Sequence, residues 1–298
     1  KKYFAVIAGL GFAVSGFAPM MAVPTIAYAD DTASIGQEAA RTVEVDSIDA
    51  LVKAIDDAPT DGTVTKIVFT ESITDDTSGG IDIAEGKSVT IDLNGNMLTL
   101  NSKATFDDLE NADNDFAGDT AIVNYGTLTV TGKGTITSET VGDVIQNYGT
   151  FSSDKQVQVT NIATSSDKGG VTATFVNIGG TATLSGTTIK STFNQGISVY
   201  GGNVTLDGVR VSTIATGTVG VGVFNRNADN ASAPAHVVVT GGTNTNIDAA
   251  GIGVSTNNTS SKGSSVVIDT TGFVKGGEVG VYWPSSGTLT IGKEDGTG

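Results

Sequence analysis

Apolar and polar residues alternate with a period of two over many short stretches of this chain, and one stretch recurs. It reads AIVNYG at 121–126, VIQNYG at 144–149, FVNIG at 175–179 and ISVYGG at 197–202. It returns as VGVFN at 221–225, IGVST at 252–256 and VGVYW at 279–283. Aligned on the first apolar residue (Ile122, Ile145, Phe175, Ile197, Val221, Ile252, Val279), the copies stand 22 to 31 residues apart. Two places on come Asn124, Asn147 and Asn177, then Val199, Val223, Val254 and Val281. A second alternating piece follows in all but one case: TLTVTG, TATLSG, NVTLDG, HVVVTG, SVVIDT and TLTIGK. The piece after Tyr148, FSSDKQVQVTNI, is less regular. A third short strand is marked by Ile136, Val159, Ile189, Val211, Ile247 and Val274.

Three short strands per repeat, joined by Gly-rich corners, predict one coil of a three-sided parallel β-helix. A single coil has too little apolar surface to fold alone. Stacking places equivalent side chains about 4.8 Å apart, so Ile covers Ile and Val covers Val. On this reading Asn124 and Asn147 are neighbouring steps of an amide ladder, with Asn177 next if the irregular rung keeps register. A sandwich of antiparallel hairpins is the alternative, but it does not call for a seven-fold recurrence of one segment.

Residues 46–58 change the period. Ile48, Leu51, Val52 and Ile55 form one helical stripe, with Asp46 as the expected N-cap and Pro59 and Gly62 as terminators. This helix is expected to cap the stack. VTKIVF (64–69), SVTIDLNG (88–95) and MLTL (97–100) read as strands, with a turn at Asn94-Gly95. The chain stops at GKEDGTG, just after a strand, which leads us to expect further rungs or an anchor beyond residue 298.

The first 29 residues follow another logic. Lys1 and Lys2 precede an apolar run that ends in Ala27-Tyr28-Ala29, the pattern of a cleaved secretory signal peptide. A membrane anchor is the alternative, disfavoured by Gly9, Gly11, Gly16 and Pro19. After cleavage no membrane insertion is expected, and the predicted location is secreted or on a bacterial cell surface.

Charge and composition narrow the function. Net charge is −16, distributed as +2 over 1–29, −16 over 30–119 and −2 over 120–298. The chain therefore divides into a signal (1–29), an acidic cap region with the helix and first strands (30–119), and nearly neutral rungs (120–298). This charge argues against nucleic acid as a partner. The absence of cysteine removes disulfides and thiol chemistry, and a lone His236 removes His-rich metal sites. No cofactor is expected. Calcium at Asp113, Asp115 and Asp119 is a weak alternative, because Ala117 and Asn124 stand where loop ligands belong.

The repeat resembles the pectate-lyase-like right-handed β-helix superfamily over roughly 60–298. The helix, KSVTIDLNGNMLTL, AIVNYGTLTVTGKGTI and VGVYWPSSGTLTI are together similar to adhesin-like cell-surface proteins of Gram-positive gut bacteria. The resemblance implies a surface stalk and no particular ligand. Lyases and glycoside hydrolases of the superfamily work through clustered aspartates and a basic residue. Here Asp207 lies near Arg210, but no second acid takes the matching place in adjacent rungs. The paired acids Asp56-Asp57, Asp75-Asp76 and Asp107-Asp108 all precede the repeat. A non-catalytic protein is therefore expected, since fold alone warrants no activity.

One corner carries the candidate binding residues. Loops at 225–235, 256–264 and 283–287 interrupt the same corner of successive rungs. Tyr200, Phe224, Tyr282 and Trp283 mark it, beside Arg226, Asn227, Asn257 and Asn258. Aromatic faces next to amides suit a glycan or host-surface partner. The alternative is a ladder of aromatics packed under their own loops.

Overall fold

The computed structural model describes residues 41–76, 79–101, 120–139, 142–163, 172–224, 234–256 and 263–292. They form a right-handed parallel β-helix of three sheets, in which every strand pairs in parallel with its counterpart one coil away. Sheet A has ten strands, and sheets B and C have eight each. A representative coil runs through Ile145–Asn147 in sheet C, Thr150–Ser153 in sheet A and Val157–Asn161 in sheet B. Parallel strands need a crossover between them, and here the other two sides of the coil supply it.

The supposedly irregular rung is complete. Phe151 pairs with Leu128, Phe175 pairs with Ile145, and both phenylalanines are buried. Their rings lie 4.9 Å apart, tilted by 46°. The larger side chains thus fill interior positions held by leucine and isoleucine one coil earlier.

The ladder also begins before residue 120. Strand β1 (Arg41–Val45) and strand β2 (Val64–Phe69) open sheet A, Ile73–Asp75 opens sheet B and Ile81–Ile83 opens sheet C. Short strands such as Ile73–Asp75 hold too few residues to display a period. Helix α1 spans Ile48–Asp56, shorter than 46–58, and Ser47 rather than Asp46 is its N-cap. Ser47 is extended, and its carbonyl accepts the first helical bond from Leu51 N at 3.0 Å. Leu51, Ala54 and Ile55 join the main core above the first coil. Lys87 Nζ donates to the carbonyls of Ile55 and Asp56 at 3.0 and 3.2 Å, a cation where the helix dipole is negative.

In the last two coils the register is displaced by two residues from the sequence alignment. Val221 pairs with Val254 and Val254 with Val281, while Ile252 continues Val219. A shift of two keeps every side chain on its own face, so the alternation in IGV and VGV reads equally well either way. Close packing decides it. A Cβ on Gly220 would lie 2.6 Å from Ile247 Cγ2 and 2.7 Å from the Gly253 carbonyl oxygen. Glycine must therefore stack on glycine, and Gly196, Gly220, Gly253 and Gly280 share one column.

Candidate functional site

The corner from sheet C to sheet A is built on the amide ladder. Asn124 Nδ2 donates to Asn147 Oδ1, and Asn147 Nδ2 to Asn177 Oδ1, each at 2.7 Å. Each amide also donates to a corner carbonyl of the chain: Asn124 to Thr150, Asn147 to Gly149, Asn177 to Gly180. The ladder therefore holds three successive turns in one shape.

The next residue in each turn places the aromatics. Tyr125 and Tyr148 stack at 4.8 Å, and Tyr200 and Phe224 meet at 5.3 Å. Phe224 folds back so that its ring covers Gly222, where any Cβ would collide with it. Tyr200 and Phe224 are only 7% and 6% exposed, in a second apolar cluster with Ala173, Val176 and Ile178. Little of either ring is left exposed.

Tyr282 and Trp283 do not belong to that column. With the displaced register, Tyr282 follows Gly222 and Ser255 and is 49% exposed. Trp283 is half-buried against the main core, with Nε1 donating to the Gly287 carbonyl at 3.3 Å. Arg226, Asn227, Asn257 and Asn258 lie outside the described residues, as do Asp113, Asp115 and Asp119.

The outer face of sheet A is a field of hydroxyls. Ser88, Thr127, Thr150 and Thr181 form one column; Thr90, Thr129, Ser152, Thr183 and Thr205 form the next. Thr129 and Ser152 are 2.9 Å apart through their hydroxyls. His236 stands on this face, exposed, with Nδ1 2.8 Å from Ser265 Oγ.

The last outward position of each sheet A strand alternates acid with hydroxyl: Asp92, Thr131, Asp154, Ser185, Asp207, Thr240, Asp269. Adjacent rungs indeed lack a second acid, yet one recurs two rungs away, about 9.6 Å along the axis. Two of these acids, Asp92 and Asp154, shape corners. Asp92 Oδ1 accepts from Asn94 N at 3.1 Å, and Asp154 accepts from Gln156 N at 3.1 Å and Gly132 N at 3.2 Å. Asp92 also pairs with Lys66 at 2.9 Å.

Asp143 is marked by no pattern in the sequence. It is buried, with Oδ1 accepting from Ala173 N and Oδ2 from Gln146 Nε2, each at 2.7 Å. Burial pushes its carboxyl up to about 6, against the opposing pull of those two hydrogen bonds. Among the described residues no group of three or more His, Asp or Glu side chains is placed to hold a metal ion. Among them, too, no helix is long and apolar enough to cross a membrane. No protein-family model matches the chain, and no curated protein or solved structure matches it either.

Proposed function

We propose that this chain is a secreted or cell-surface, non-catalytic β-helix that serves as a structural and adhesive stalk. The supporting observation is the unbroken parallel register of sheet A through ten strands, with columns of hydroxyls on its outer face. Nine steps of about 4.8 Å give a stack roughly 43 Å long, stiffened by side chains that repeat from coil to coil. Asp154 speaks for a structural role, since both its oxygens accept backbone N–H groups. Those two bonds tie the Asp154 carboxylate into the turn. The resemblance of the rung phrases to adhesin-like surface proteins of Gram-positive gut bacteria points the same way, and the Ala27-Tyr28-Ala29 site supplies the export route.

The test is export itself. The chain, given a start codon, is expressed in a Gram-positive host and its amino terminus is read by mass spectrometry. The expected product begins at Asp30 and is found in the medium or wall fraction. Retention in the cytoplasm with Lys1 intact overturns the reading.

A further inference from the structure

We propose that the corner between sheets A and B carries a binding recess for a short, neutral oligosaccharide. The recess arises from unequal corner lengths. Two consecutive corners, 186–187 and 208–209, are two residues long. The corner before them, 154–156, has three residues, and the one after them, 241–245, has five and includes the short 3-10 turn Gly242–Asn244. Two low rungs therefore lie between two tall ones. The result is a cavity of about 700 Å³, within the range of small-molecule sites.

Its floor is bare backbone. Gly186 and Gly208 have φ of 63° and 65°, a region open to glycine, and neither puts a side chain into the space. Its functional groups are charged and unspent. Among the described residues, neither the Asp207 carboxylate nor the Arg210 guanidinium has a hydrogen-bond or ion-pair partner, and both are exposed. Lys155 stands on one wall and Asn244 on the other.

The charge balance chooses the ligand. Asp154 and Asp207 offset Lys155 and Arg210, so the lining is formally neutral. Such a site gives no net attraction to a uronate chain, a phosphate or a nucleic acid, for which cations must predominate. A carboxylate offers only acceptors, a guanidinium only donors, and the amide of Asn244 both. Vicinal hydroxyls are donors and acceptors together, and planar forks engage them in pairs. The tall corners are three rungs apart, roughly 14 Å, which admits about two or three sugar rings. This recess lies at a different corner from the amide ladder and its aromatics, and it does not depend on where the chain is displayed.

The experiment uses the full chain on an array of neutral and uronate oligosaccharides, followed by calorimetry with the best neutral ligand. Neutral oligosaccharides are expected to bind. Asp207→Asn and Arg210→Ala should each weaken binding roughly tenfold or more, with unchanged melting. Trp283→Ala should leave it intact. Binding only to uronates, binding to nothing, or full affinity in the Asp207→Asn/Arg210→Ala double variant overturns the proposal. Release of reducing ends from the bound sugar would overturn the non-catalytic reading while leaving the recess in place as the site.

Discussion

The side-chain amide of Asn124 donates to Asn147 across one coil, but among the described residues its own Oδ1 has no partner. The ladder has a direction: every step gives its N–H to the next coil, and the first oxygen is left facing Ile83, its paired neighbour. Removing the middle step should therefore cost most. Asn147→Leu strips the acceptor from Asn124 and the donor from Asn177, for a loss of about 3 kcal/mol. Asn124→Leu removes the orphan oxygen along with the bond and should cost about half as much. Urea unfolding of the two variants gives the comparison, and equal losses would refute the directional ladder.

Thr65 presents a simpler case of the same imbalance. It is fully buried in β2, and among the described residues its Oγ1 has no hydrogen-bond partner. Thr65→Val replaces a stranded hydroxyl by a methyl of similar shape. The expected gain is about 1 kcal/mol, read as a raised melting temperature.

Asp143 makes stability depend on pH in the unusual direction. Its folded carboxyl titrates at about 6, above the unfolded value of 3.8. Between those values the folded chain holds more protons than the unfolded one, so this contribution is full below 3.8 and is lost as pH rises through 6. The shift corresponds to a loss on the order of 3 kcal/mol. Asp143→Asn should flatten this part of the profile, with Gln146 turning its amide to accept. Chemical unfolding at intervals from pH 4 to about 7 measures the difference between the two proteins; parallel curves would contradict it.

The glycine column fixes the register of the last coils. Gly220→Ala should cost about 2 kcal/mol, because a Cβ must push against Ile247 and against backbone. Ile247→Ala in the same chain should return part of that loss, and a double-mutant cycle measures how much. Independent, additive losses would mean that the two residues do not meet.

What the sequence made legible follows from periodicity. The interior columns could be read from it because each repeats one residue class every second position, and the amide ladder emerged at Asn124, Asn147 and Asn177. The register of 252–256 and 279–283 could not, because alternation is blind to a shift of two; the glycines held the deciding information through atoms they lack. Aligned by alternation alone, Tyr282 falls in the column of Tyr200 and Phe224; the actual pairing sets it after Ser255 and Gly222. The burial of Asp143 depends on a strand in the following coil, since Ala173 is 30 positions away. The recess was also invisible, because it is a difference between the heights of neighbouring corners and belongs to no single residue.

Trp283 has a further consequence. It is the only tryptophan in the chain, and it rests against the core in the last described coil, at the opposite end of the stack from α1. A pile of units coupled only to their neighbours loosens from its ends. Indole fluorescence thus reports on one terminus, while far-ultraviolet dichroism averages all the coils. If the stack frays from that terminus, the emission midpoint will precede the dichroism midpoint on heating; coincident curves would identify a single cooperative block.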